Sequence, residues 1–179
     1  MKKYSKETYK NIVFGSDNTA NMKKVMACYK NVLVCGIKGV GKITHTIKAI
    51  KDNTNVYYIG NPVDHEGKTR PGSYEKYLEY ILSLKKDLQI IGDIRELLKV
   101  KGDVIIVIDE IYGRSDEQLD LIDRLLDMEN AKVAQIVGCV KYMRNLINKI
   151  DITVDLQLDG AFMVDRELTR SICSILGMR

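Results

Sequence analysis

Residues 31–42 read Asn31-Val-Leu-Val-Cys35-Gly36-Ile-Lys-Gly-Val-Gly41-Lys42. The first five are a short apolar run closed by a glycine, the pattern of a buried strand. Helical spacing resumes from about Gly41 to Lys51. Between strand and helix, one glycine, four residues and then Gly-Lys form the spacing of a phosphate-binding loop. Glycines let successive backbone N–H groups converge on a β-phosphate at the positive end of a helix. A lysine in the last position reaches the β- and γ-phosphates as a compact charge. Gly36, Ile37, Lys38, Gly39, Val40, Gly41, Lys42, Ile43 and Thr44 are therefore the candidate nucleotide-binding residues.

The residue after Lys42 is Ile43, where the motif calls for a Ser or Thr hydroxyl as a magnesium ligand. Thr44 follows, but one helical step turns a side chain by about 100°, so it does not simply substitute. Weakened magnesium affinity and slow or absent turnover are the expected consequences.

Outward from this loop, strand-like and helix-like runs alternate. Asn55–Ile59, Asp103–Asp109, Lys132–Val140 and Ile152–Leu158 read as strands. Helical spacing is expected over 73–82, with Ser73 as N-cap, and over 88–98, Asp116–Met128, Tyr142–Lys149 and Asp165–Ile175. Residues 60–72 hold both prolines of the chain and read as its longest loop. Such alternation predicts an α/β domain, a three-layer sandwich around a mainly parallel sheet of five strands. Residues 1–179 are read as one domain, with 1–30 as a basic helical lead-in and 160–179 as a terminal helix.

Val104-Ile-Ile-Val-Ile108 is five consecutive β-branched residues ending in Asp109-Glu110. In a parallel sheet with the phosphate loop at its carboxyl edge, the two carboxylates arrive beside the γ-phosphate. Asp109 is expected to hold Mg2+, through water, and Glu110 to position and deprotonate the attacking water. Lys42 and Glu110 are the candidate catalytic residues.

With both motifs in place, the chain resembles the AAA+ branch of P-loop ATPases over about residues 10–170. Gly36–Lys42 matches the family's Walker A loop, and Asp109-Glu110 its Walker B pair. Asn11-Ile-Val-Phe-Gly15 is similar to the adenine-contacting stretch, which makes Val13 and Phe14 candidate base contacts. The resemblance implies ATP or ADP as ligand, Mg2+ as metal, and hydrolysis coupled to conformational change in a protein or nucleic-acid assembly. It also implies a polar sensor near Gly138-Cys139-Val140 and an arginine finger near Lys149-Ile150-Asp151, and neither stretch carries the expected side chain. Arg144 is an alternative finger, and Arg170 falls where a lid region, absent from this chain, would open. A degenerate nucleotide-binding or oligomerisation module is the second reading. A small P-loop kinase is the third, although Arg70, Arg95, Arg114 and Arg124 are not clustered as a phosphate-holding lid requires.

Composition limits the partners. The 45% apolar and 29% charged residues suit a globular protein with a sizeable core. No apolar run reaches the roughly 20 residues of a membrane span, and no secretory signal follows Met1-Lys-Lys-Tyr-Ser. Scattered Cys28, Cys35, Cys139 and Cys173 suit buried free thiols and a cytoplasmic location. The net charge of +4 conceals an asymmetry: residues 1–51 carry eleven lysines against Glu7 and Asp17 alone. That basic third is a solvated face or a surface for nucleic acid or an acidic partner, including a second copy of the chain. Tyr74, Tyr77 and Tyr80 admit stacking on bases, but Tyr74 and Tyr77 share the apolar stripe of their helix, which favours packing.

Overall fold

The computed structural model describes residues 17–36, 39–61, 73–109, 114–137, 149–157 and 160–165. Helix α1 (Asn18–Cys28) opens on Asp17, whose carboxylate accepts from the Thr19 and Ala20 backbone N–H groups. Strand β1 (Asn31–Gly36) leads through the glycine-rich loop into α2 (Lys42–Ala49) and then β2 (Val56–Ile59). Helix α3 (Ser73–Leu84), the two-residue strand β3 (Gln89–Ile90) and the single turn α4 (Ile94–Leu97) precede β4 (Val104–Asp109). Helix α5 (Asp116–Asp127) begins with a capping box between Ser115 and Gln118 and delivers the chain to β5 (Ala131–Ile136). Strands β6 (Ile152–Gln157) and β7 (Gly160–Asp165) follow.

The sheet order is β3-β2-β4-β5-β1-β6-β7. Strands β1 to β6 run parallel, and β7 pairs antiparallel with β6 at the edge. The mainly parallel α/β expectation is met, and the count of five strands is corrected to seven. Two additions account for the difference. Residues 88–98 do not form one helix, because Gln89 and Ile90 pair with Tyr57 and Tyr58 before α4 begins. Gly160–Asp165 pairs with β6 instead of opening the terminal helix. The helix expected over Tyr142–Lys149, but for Lys149 itself, and the segment 166–179 lie outside the described residues, as do 1–16.

Alternation along the strands divides the core into two layers. Val32, Val34, Tyr58, Val107, Ala134 and Val154 meet α1, α2 and α3 on one face. Leu33, Ile59, Ile106, Ile108 and Val133 meet α4 and α5 on the other. β1 thus feeds a helix on one face and β4 a helix on the opposite face, with β5 between the two strands. Reversals of this kind open a crevice outside the carboxyl ends of a parallel sheet.

Polar contacts tie the opposite, amino edge. Asp151 accepts from the backbone N–H groups of Lys30 and Asn31 at the start of β1, 3.2 and 2.9 Å away. Lys149 donates to Asp123 and Asp127 of α5 at 2.6 and 2.7 Å. Lys85, with its side chain only 2% exposed, donates to the Lys51 and Asn53 carbonyls and pairs with Asp87. Among the described residues no helix is long and apolar enough to cross a membrane.

Candidate functional site

The candidate phosphate loop leaves the carboxyl end of β1 with Gly36 at φ 137°, Gly39 at 87° and Gly41 at 82°. These values are the reason for glycine at these positions, since L side chains are strained there. Gly36 is also hemmed in, because a Cβ would overlap the Leu156 carbonyl oxygen and meet Val40 Cγ1 at 3.2 Å. Helix α2 then starts at Gly41 without a side-chain cap, the position at which a helix start is open to an anion. Lys42 folds back across the loop, its Nζ donating to the Gly36 carbonyl at 2.9 Å. Ile37 and Lys38 lie outside the described residues, as do Val13, Phe14 and Glu110.

The two residues after Lys42 point elsewhere. Ile43 is buried in the apolar layer with Ile47, Val34 and Val107. Thr44 pairs its hydroxyl with that of Tyr80 on α3 at 2.7 Å, on the exposed side. Thr46 returns its hydroxyl to the Lys42 carbonyl. Neither Ile43 nor Thr44 brings an oxygen to the loop's interior.

Asp109 ends β4 on the same face of the sheet as Lys42, the face covered by α2 and α3. It is buried, and its Oδ2 accepts from two phenols, Tyr58 at 2.8 Å and Tyr77 at 2.6 Å. Tyr58 lies on neighbouring β2, on the Asp109 side of the sheet because the alternation of Val56, Tyr58 matches that of Val107, Asp109. Tyr77 reaches in from α3. Arg114, after β4, donates from one Nη to the Gly60 and Asp109 carbonyls, each at 3.2 Å. Its guanidinium and the Asp109 carboxylate attract each other, while burial pulls the guanidinium's pKa down. Burial first, and then the Asp109 charge, raises the Tyr58 and Tyr74 phenols, so both remain protonated. Tyr74 lies over Gly60 so closely that a Cβ there has no room.

The site therefore contains a phenol and guanidinium cluster around Asp109 that the sequence reading did not assign. Tyr74 and Tyr77 read as packing residues, and Arg114 as an unclustered arginine. The only prior signal was the alternation in Asn55-Val-Tyr-Tyr-Ile59. His45 is a further neighbour. Its ring lies against Gly41, and its Nδ1 is 2.8 Å from the Thr19 hydroxyl on α1. Burial, and next Lys48, lower its pKa against an opposing pull from Asp17, which favours the neutral ring. The place of the expected finger, Lys149-Ile150-Asp151, lies at the amino edge of the sheet. The expected sensor stretch, Gly138-Cys139-Val140, and Arg144 and Arg170 lie outside the described residues.

Cys35, next to the loop, is buried, and desolvation followed by the charge of Asp155 pushes its thiol up to about 12. Because the folded value lies above the unfolded one, its contribution to stability is complete below pH 9. That contribution is lost as pH climbs from 9 towards 12. At pH 8 the thiolate fraction falls about a thousandfold relative to the unfolded chain. Alkylation mapped by peptide mass spectrometry is expected to label Cys35 correspondingly more slowly in the native protein than in urea. Equal rates would show that the thiol is not sequestered.

No protein-family model matches the chain, and comparison with curated proteins finds no match.

Proposed function

We propose that the chain is a nucleotide-binding domain similar to the AAA+ core, taking ATP or ADP in the loop Gly36–Lys42. The observation that carries this reading is the loop itself. Three positive-φ glycines and an uncapped helix start surround a lysine that closes back on Gly36, at the carboxyl end of the strand beside a topological reversal. Lys42 and the loop amides hold the phosphates, and any magnesium arrives on the nucleotide, held by phosphate oxygens and water. Hydrolysis would fall to Glu110 acting on water, and its use would be conformational change within an assembly. The basic N-terminal third is the surface we propose for an acidic protein partner, a second copy or nucleic acid. Its Lys23 and the Asp52 it pairs with, at 3.6 Å, both stay largely exposed. The free thiols Cys28 and Cys35 are in keeping with a reducing, cytoplasmic setting.

Titration of the full chain with ATP tests the reading. Lys42→Ala is expected to weaken binding about a hundredfold, or about 2.7 kcal/mol, with far-ultraviolet circular dichroism unchanged. Unchanged affinity in that variant removes the phosphate-loop assignment.

A second reading, a nucleotide-binding module without turnover, is favoured by the apolar Ile43 and the tyrosine-bound Asp109. Comparing phosphate release by the native chain and Glu110→Gln separates the two. Equal, negligible rates with intact ATP binding select the module.

A further inference from the structure

We infer that this site takes its nucleotide as the metal-free anion, because Ile43, Tyr58, Tyr77 and Arg114 fill the positions from which the protein would hold magnesium. The inference rests on the nucleotide reading above and concerns the form of the ligand.

Magnesium requires oxygen ligands in near-octahedral array, and is usually held by one or two carboxylates, phosphates and several waters. The loop offers it no hydroxyl, since Ile43 is an apolar residue embedded between α2 and the sheet, and the Thr44 hydroxyl is paired with Tyr80. The carboxylate at the end of β4 has its Oδ2 committed to two phenols. A cation drawing on that oxygen must displace a phenol. Tyr58 has no exposed surface on which to find water in exchange. Arg114 decides the charge balance. It carries a positive charge attracted to Asp109, anchored by the carbonyls that end two neighbouring strands. A divalent cation brought to Asp109 would meet that charge in a part-buried setting, where like-charge repulsion is weakly screened.

Among the described residues, the side chains at this site thus do not fit a protein-bound magnesium ion. They do fit a site in which the phosphates are neutralised by protein cations and amides, with Lys42 and the start of α2 as the direct contacts. Asp109 is then a positioning residue, the acceptor that holds Tyr58 and Tyr77, and the counter-charge to Arg114, at the carboxyl end of β4.

The test is equilibrium binding of ATP to the full chain, by calorimetry, with excess chelator and with saturating magnesium. Dissociation constants within about threefold of each other are expected. Tightening by magnesium of more than about tenfold overturns the inference while leaving the nucleotide reading intact. No binding under either condition overturns both. In Tyr77→Phe, which keeps the ring and releases one bond to Oδ2, magnesium is expected to tighten binding several-fold more than in the native chain. An unchanged ratio removes the role assigned to the phenols, and the inference with it.

Discussion

Gly36→Ala is expected to cost about 3–5 kcal/mol, combining backbone strain at a positive φ with overpacking against a neighbour. The conformational part comes from φ 137°, a value L residues rarely adopt. The larger part is steric. The new methyl group would overlap the carbonyl oxygen of Leu156, and Gly36 and Leu156 are register partners across the β1–β6 ladder. A side chain can escape a clash by changing rotamer, but a strand backbone cannot. Relief must come from sliding β1 against β6 or from opening the loop where Lys42 closes on it. Gly39→Ala is the matched control, because Gly39 also has positive φ, 87°, with nothing within 4 Å of the added carbon. Only the conformational cost, about 1 kcal/mol, is expected there. Urea unfolding of the two variants measures the difference, and equal losses would show that the approach of Leu156 is not a constraint.

The same contrast marks how far the sequence could be read. The loop is legible because its chemistry is local: glycines, a lysine and a helix start within seven residues impose one geometry. β1, β2, β4 and β5 are legible because β-branched runs buried on both faces have few alternatives. Residues 88–98 are different. Leu88, Ile91, Ile94 and Leu97 satisfy a helical period, yet Ile91 donates its N–H to the Tyr58 carbonyl and the preceding pair joins β2. A partner distant in sequence overrides the local pattern, as it also does where β7 forms on β6. The Asp109 cluster shows the same limit at the level of chemistry. Its end of β4 is plain in the sequence, but its acceptor bonds come from residues 51 and 32 positions away. The expectation of Asp109 as a metal ligand followed from the strand end taken together with the glycine-lysine loop upstream. The phenols and Arg114 become visible only when β2, α3 and the segment after β4 are brought to one edge.

Asp109→Ala is expected to destabilise the chain by about 3–5 kcal/mol, the range for breaking a buried charged network by removing one partner. Tyr58 would keep a fully buried hydroxyl with its acceptor gone, Tyr77 would lose a bond of 2.6 Å, and Arg114 would lose the charge that attracts it. Asp109→Asn, which retains one carbonyl oxygen to accept from a phenol, is expected to lose about half as much, in line with a charged acceptor being worth roughly twice a neutral one. The sign of the Asp109→Ala result separates two roles for the carboxylate. A residue kept for a metal or a reacting phosphate is often destabilising in the resting fold, so that its removal leaves stability unchanged or raised. A residue kept as the acceptor for two phenols and the counter-charge of a guanidinium must cost stability when removed. Denaturant midpoints at constant m-value measure which holds. A loss below about 1 kcal/mol would return Asp109 to the ligand role that its place at the end of β4 first suggests.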